Sequence, residues 1–306
     1  MRAPVRASST WGNHRGGLST PSLSSKFTAV PAGLYQQSLV KAEPFSSSAL
    51  DLKEASSMAS QSPEHLESLK KHLSYDTLDA LRNFWFEHLT DDSSRVIPAR
   101  DMMKRCAEFS PALEAIRTAG VASAQEILSI AQPRNALDWL SLVILLDQIP
   151  RNSYRGDRAS ICFTYFDPLA QELSLGAIEQ GLPDEAPEIR WVFSHRSWFY
   201  LPLMHSEDLA AHDKAASEYD LMNKDILSLT EGSGGADPYE KKAREAVQAD
   251  PEAAKTLGKT NQAFEEKHRA IIARFGRYPH RNKALGREPR PEETEFLENG
   301  GDTFGS

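Results

Sequence analysis

Arginine, histidine and carboxylate side chains are concentrated in three short strings of this 306-residue sequence. The strings carry Asp147, Arg151, Asn152 and Arg155; His205, Glu207 and Asp208; and Arg277, His280, Arg281 and Asn282. Guanidinium groups bind carboxylates and phosphates through paired hydrogen bonds, and histidine exchanges protons near neutral pH. If the strings meet in the fold, they predict a site that binds a small anion and transfers a proton.

The first string follows an apolar helix-like run that ends near Asp147. Pro150 disfavours helical geometry in the residue before it, so the pattern predicts that Arg151, Asn152 and Arg155 project from a loop. Two interpretations remain open for these arginines. They form a structural clamp with Asp147, or they form half of an anion site.

The second string follows an apolar turn and opens a polar helix. Ser206 is expected to cap this helix with Glu207 and Asp208 in its first turn, which leaves His205 unexplained. The positions of His205, Asp208 and His212 also suit a metal ion, but such spacings arise often by chance. We therefore predict no metal site.

A similar argument applies to Glu265 and His268, which show the Glu-x-x-His spacing of di-iron helical bundles. Such a site needs two copies of the motif and two further glutamates, and the sequence has one clear copy. The stretch is instead expected to form salt bridges at the surface.

The third string is the most specific. Gly276 is expected to end the preceding helix and Pro279 to enforce a turn, which crowds four donor side chains into six positions. A plain turn, in which arginines satisfy helix carbonyls, is the alternative. Together the strings predict a pocket in which His205, His280 and Asp208 are the candidate acid–base residues and the other string residues bind the ligand.

Helices must position these strings. Apolar residues recur at three- and four-residue intervals, breakers separate the runs, and no alternating strand pattern of useful length appears. The sequence therefore predicts an all-α fold of stacked antiparallel helix pairs, shaped as a tetratricopeptide-like superhelix. Helices are expected near 98–107, 110–130, 134–149, 158–180, 186–200, 205–230, 238–248 and 252–274, with short ones near 281–287 and 291–298.

Composition divides the chain into an extension at 1–60 and one domain at 61–306, with a predicted surface insertion at 231–258. Residues 1–42 are basic, serine-rich and free of acids, so they form either a mitochondrial presequence or a disordered tail. The expected location is accordingly mitochondrial or cytoplasmic. A net charge of −8 argues against nucleic-acid binding, and no apolar run reaches membrane-spanning length.

The strings, together with further motifs, resemble the domain-of-unknown-function family 924 between about Leu78 and Phe304. The further motifs are Asn83-Phe84-Trp85-Phe86, Tyr154-Arg155-Gly156, Tyr200 to Met204, His268, Leu285-Gly286-Arg287 and Glu292-Glu293 before Phe296-Leu297. The resemblance implies an all-helical fold grouped with tetratricopeptide-like superhelices and implies no established activity. The stretch from Glu87 to Pro111 departs from the family pattern, so no site residue is assigned there.

Two classes of function remain open. The first is a protein that binds a small anionic molecule, and is an enzyme of small-molecule metabolism if His205 or His280 moves a proton. The second is a scaffold whose concave helical face binds a peptide or a partner protein. The concentration of charged residues at helix ends favours the first, and the sequence specifies no cofactor.

Overall fold

The computed structural model describes residues 62–87, 106–232 and 235–304. Regular secondary structure in these ranges is entirely helical, which confirms the predicted all-α class. Its helices of eight or more residues are α1 Pro63–His72, α2 Tyr75–Phe86, α3 Ser110–Thr118, α4 Ala124–Ala131, α5 Ala136–Ser153, α6 Asp167–Glu179, α7 Leu209–Leu229, α8 Pro238–Ala249, α9 Pro251–Phe275 and α10 Pro291–Glu298. The predicted extension at 1–60 lies outside the described residues, as does almost all of the helix expected near 98–107.

Helix α5 lies at the centre of the main core. Its successive residues 142–145 are all buried although four successive positions point to all sides of a helix, and α5 packs against α2, α3 and α6. A helix that is apolar on all sides belongs in a protein interior. The sequence of α5 therefore fixes both its helical form and its central position.

The prediction that α5 ends at Pro150 is wrong, because the helix continues to Ser153. Proline removes one backbone hydrogen bond, but burial of the helix outweighs that local cost. The amide of Tyr154 then donates to the carbonyl of Pro150 over 2.7 Å and completes the last turn. As a result Arg151 and Asn152 lie on a helix and not on a loop.

Other predicted helices are interrupted, and the prediction of a short helix near 281–287 is wrong, because that region has a 3₁₀ turn at Pro279–Arg281 followed by further turns. Gly120, with a φ of 67°, separates α3 from α4 within the predicted helix 110–130. The predicted helix 158–180 contains a π-helical turn at Cys162–Phe166 before α6. The segment 182–204 consists of short helical turns at Leu182–Glu185, Pro187–Arg190, Phe193–Arg196, Ser197–Phe199 and Leu201–Met204. These interruptions turn the chain repeatedly around α5 and bring distant helix ends together.

Helices α7 and α9 form an antiparallel pair. Asn223 contacts Gln262 near one end, and Asp213 contacts Arg269 near the other, so residue numbers run in opposite directions along the two helices. The intervening α8 buries Ala243 and Val247 in the main core. The predicted surface insertion therefore contributes core residues, and its status as an insertion stays a prediction.

The described helices are stacked in pairs, as the sequence indicated, while their tetratricopeptide-like arrangement stays a prediction. A second, smaller core lies beyond α9, where Ile272, Phe275 and Tyr278 pack with Phe296 of α10 and Phe304. Within the described ranges, no helix combines the length and the apolar character that crossing a membrane requires.

Candidate functional site

A buried carboxylate, Asp167, joins two of the three predicted strings. Arg151, on the last turn of α5, donates to Asp167 Oδ1 over 2.8 Å. Arg281, in the 3₁₀ turn Pro279–Arg281, donates to Asp167 Oδ2 over 3.4 Å. The two guanidinium groups, separated by 130 positions in the sequence, therefore lie on opposite oxygens of one carboxylate that begins α6.

The second string joins this cluster through Asp147, one helical turn before Arg151. Asp147 Oδ1 accepts a hydrogen bond from Arg151 over 3.1 Å and lies 2.7 Å from His205 Nδ1. An ionised carboxylate only accepts hydrogen bonds, so Nδ1 of His205 carries the hydrogen. In the neutral ring the lone pair is then on Nε2, which is the arrangement of a general base.

The charges around His205 support this assignment. Burial opposes ionisation of Asp147, but His205 and Arg151 outweigh that effect and hold the pKa of Asp147 well below its ordinary value. Burial lowers the pKa of His205, Arg151 lowers it further, and Asp147 opposes both. His205 is therefore a neutral imidazole near neutral pH, hydrogen-bonded to a carboxylate that fixes its orientation.

Arg281 is held mainly by aromatic rings. Its guanidinium carbon lies 4.6 Å from the centroid of Phe163 and 4.5 Å from that of Tyr278. The residue is 6% exposed, and burial lowers the pKa of its guanidinium although Asp167 opposes the effect. A buried cation with one long hydrogen bond to a carboxylate has capacity to bind a further anion.

Three buried nitrogen atoms in this region have no hydrogen-bond partner among the described residues. They are Nε of Arg151, Nε of Arg281 and Nδ1 of His280. Burial lowers the pKa of His280 to about 4, and Arg281 contributes to this. Buried polar groups without partners are uncommon in proteins and often mark the position of a ligand, a water or an ion.

The remaining residues of the third string serve the fold. Arg277 makes a bidentate pair with the fully buried Glu293 of α10, at 2.6 and 2.8 Å. Asn282 donates to the same carboxylate over 2.9 Å. These bonds lower the pKa of Glu293 to about 2 and attach the 276–290 segment to α10. Arg277 and Asn282 are therefore paired with a carboxylate other than Asp167.

Glu207 links the second string to the third. Its carboxylate accepts two hydrogen bonds from Arg287, at 2.6 and 3.0 Å, and one from the amide of Tyr278 at 2.8 Å. Although burial opposes ionisation, these donors lower its pKa. Glu207 thus positions the turn that carries His280 and Arg281.

Three predicted site residues lie at the edge of the cluster or outside it. Arg155 is exposed and donates to Asn152 Oδ1 over 3.1 Å, while Asn152 donates to a backbone carbonyl of α5. Asp208 is exposed and is the N-cap of α7, where it accepts from the amide of Ala210 over 3.0 Å. The predicted cap at Ser206 is wrong, because Ser206 lies two residues before the N-cap and its hydroxyl accepts from the amide of Asp208.

The carboxylate that connects the cluster, Asp167, was not predictable from the sequence pattern. Asp167 precedes Pro168 at the start of a helix, where an acidic residue has an ordinary local explanation, so its sequence context gave no signal. Phe163 was not predictable either, and the π-helical turn directs its ring towards Arg281. A π turn is a feature that local spacing does not reveal.

The prediction of surface salt bridges for the Glu265–His268 stretch holds for Lys267, which lies 3.9 Å from Asp302 at the surface, and is wrong for Glu265 and His268. Both residues are 1% exposed because they face α7 and the second core. Glu265 pairs with His212, and the His268 ring stacks on Phe304. In the described ranges, no three histidine, cysteine or carboxylate side chains are grouped as ligands of a metal ion.

Comparisons with known proteins identify a family and name no activity. A solved structure of a protein of unknown function from Agrobacterium tumefaciens, ATU0120, is 28% identical, with a TM-score of 0.46. The match covers 74% of this chain and 98% of that chain. No curated protein matches the sequence. The family of bacterial proteins of unknown function, DUF924, matches residues 81–301, so the chain belongs to the DUF924 family.

Proposed function

We propose that the protein binds a small molecule that carries a carboxylate or phosphate group. The side chains that bind this group are those of Arg151, Arg281 and His280. The observation that supports this most strongly is the set of unpartnered buried nitrogen atoms on these three side chains. Both arginines contact one carboxylate, Asp167, and His280 is adjacent to Arg281 in the chain. A bound anion would give each nitrogen a partner, and charge-assisted hydrogen bonds of this kind are strong.

The proposal includes acid–base chemistry at His205. Asp147 orients the ring so that Nε2 carries the lone pair, and the low pKa keeps that lone pair available at neutral pH. Arg151 contacts the same Asp147 oxygen, so an anion bound at Arg151 lies near His205. His205 then accepts a proton from the bound molecule or from a water next to it.

Anion binding is tested with inorganic phosphate as the probe, in thermal unfolding against chloride at equal ionic strength. Phosphate should raise the midpoint temperature of unfolding of the wild-type protein and should leave that of Arg281→Met almost unchanged. Methionine is chosen because it keeps an apolar side chain of similar length and removes the charge. Arg155→Met, a surface arginine from the same strings, is the matched control and should respond like wild type. Equal midpoints in phosphate and chloride for the wild type would contradict the anion site.

The base is tested by acylation with diethyl pyrocarbonate, which reacts at an unprotonated imidazole nitrogen, followed by mass spectrometry. His205 should be modified at neutral pH, and phosphate should protect it. Asp147→Asn presents an amide N–H to Nδ1 and favours the opposite tautomer, so the rate at His205 should fall. A wild-type His205 that resists modification in the absence of phosphate would refute its role as the base.

A further inference from the structure

A second histidine, His212, is completely buried in α7 behind the turn that carries His205. Its Nε2 lies 3.0 Å from the backbone carbonyl oxygen of Ser206, and its Nδ1 lies 2.8 Å from Oε1 of Glu265. A carbonyl oxygen only accepts hydrogen bonds, so Nε2 of His212 must carry a hydrogen. The backbone of the neighbouring turn thereby fixes which nitrogen of His212 is protonated.

This constraint leaves one proton between His212 Nδ1 and Glu265 Oε1. The pair is either an imidazolium facing a carboxylate or a neutral imidazole facing a carboxylic acid. Oε2 of Glu265 is buried and has no partner among the described residues. An ionised carboxylate with one bare buried oxygen is costly, whereas the carbonyl oxygen of a carboxylic acid carries no full charge. The geometry therefore favours the neutral pair.

The surroundings of Glu265 contain little that would stabilise its charge. Burial raises its pKa, and the hydrogen bond from His212 opposes this. Tyr219 of α7 and Tyr278 approach from the other packed elements. From its own helix, Glu266 raises the pKa and Arg269 lowers it, but the Arg269 guanidinium is paired with an aspartate of α7 at 2.7 Å.

His212 and Tyr278 hold the backbone on the two sides of His205. His212 donates to the backbone carbonyl of Ser206, the residue after His205. The hydroxyl of Tyr278 donates over 2.5 Å to the backbone carbonyl of Met204, the residue before His205. The Tyr278 oxygen also lies 3.4 Å from His212 Nε2. Two buried donors therefore hold the backbone that directs the His205 ring towards Asp147.

We propose that Glu265 is a neutral, protonated positioning residue that donates to His212 Nδ1 and thereby holds the His205 turn in place. The role of His205 as a base rests on the proposed function. The protonation of His212 and Glu265 rests on their own contacts and is measured separately.

The test compares Glu265→Gln with Glu265→Leu. The glutamine amide donates one N–H to Nδ1 as the acid does, so this variant should keep the Nε2–H tautomer of His212 and the wild-type His205 signals in nitrogen NMR. Leucine removes the donor, so the His205 signals should move and phosphate should bind roughly tenfold more weakly. Glu266→Gln, on the exposed side of the same helix, is the control and should match wild type.

Wild-type spectra decide the proposal even if the leucine variant does not fold. His212 should show hydrogen on Nε2 alone, and infrared spectra should show a protonated carboxyl band that Glu265→Gln lacks. Hydrogen on both nitrogens at neutral pH, or a glutamine variant as impaired as leucine, would overturn the proposal. Absence of phosphate binding by a wild-type protein with these signals would refute the anion site and leave the neutral pair standing.

Discussion

Among the residues that the structure describes, the arginines Arg196 and Arg281 are buried and are bonded in different ways. Arg196 is fully buried, and each of its three nitrogens donates to a partner: Tyr200, Asp225 and Asp184. These partners raise the pKa of Arg196 although burial opposes them. Arg281 has one hydrogen bond of 3.4 Å, an unpartnered Nε, and a pKa that burial lowers.

The difference separates a structural cation from a candidate binding cation. A buried guanidinium that serves the fold is satisfied within the fold, because an unpaired buried charge is costly. Arg196 meets this condition and joins two short helical turns to α7. Arg281 does not meet it, and its two aromatic neighbours hold the guanidinium plane without neutralising its charge. The contrast predicts opposite responses to substitution and to added anions.

The largest effect is expected for the loss of Arg196. Arg196→Met should lower the free energy of unfolding by about 3–5 kcal/mol, because it removes the partner of two carboxylates. Arg281→Met should change it by less than about 1 kcal/mol, because Asp167 keeps Arg151 and the methionine keeps the apolar contacts. Urea unfolding monitored by circular dichroism measures both values.

Arg190→Met is the control for this comparison, since Arg190 binds Asp225 from the more exposed side. Arg190→Met should lower the free energy of unfolding by less than Arg196→Met does, because solvent screens the exposed pair. If the Arg281 variant lost as much stability as the Arg196 variant, Arg281 would be a structural residue, and the distinction between the two arginines would fail.

A smaller effect on the free energy of unfolding is expected for each unit of pH, through one histidine in each region. Burial lowers the pKa of both His195, next to Arg196, and His280, next to Arg281, to about 4 from an ordinary value of 6.5. The unfolded chain therefore binds these protons more tightly than the folded protein does. Each contribution to stability is complete above pH 6.5 and decreases as the pH falls towards 4, with a slope approaching about 1.4 kcal/mol per pH unit.

Phosphate should distinguish the two histidines. An anion bound beside His280 favours its charged form and should raise its pKa by about 1, whereas His195 should not respond. Proton NMR titrations of both rings, with phosphate or with chloride, give the two values. Equal displacement of both pKa values would indicate a general salt effect and would argue against a local anion site.

The smallest effect is expected for Arg155, a predicted ligand-binding residue that is exposed. Arg155→Ala should change the unfolding free energy by less than about 0.5 kcal/mol, as is usual for surface positions. Phosphate should stabilise the variant as it does the wild type. A variant with a diminished phosphate response would place Arg155 at the anion site and extend that site towards the surface.

Much of the helical framework could be predicted from local sequence. The sequence predicted helices near 238–248, 252–274 and 291–298, and α8, α9 and α10 lie within one or two residues of these bounds. Proline and acidic residues start these helices, and Gly276 ends α9 with a φ of 67°. The course of α5 through Pro150 was not predictable in this way, because its cause is burial of the whole helix.

The candidate site was predictable in its residue types and not in its pairings. The sequence singled out Arg151, His205 and Arg281, but the same patterns also singled out Arg277, which the structure pairs with Glu293. Spacing cannot separate these cases, because the partner of each charge comes from another helix. The two cases differ in whether the nitrogen atoms of the arginine have hydrogen-bond partners. Those partners are known only from the tertiary structure.

By itself the sequence determined the all-α class, most helix ends and the residues able to do chemistry, because helix periodicity, caps and breakers act over a few neighbouring positions. Only the tertiary structure decided that Asp167 joins Arg151 to Arg281 and that Asp147 orients His205. These contacts depend on how helices far apart in the chain pack around α5. The energy of a buried charge depends on those packed neighbours and not on its place in the sequence.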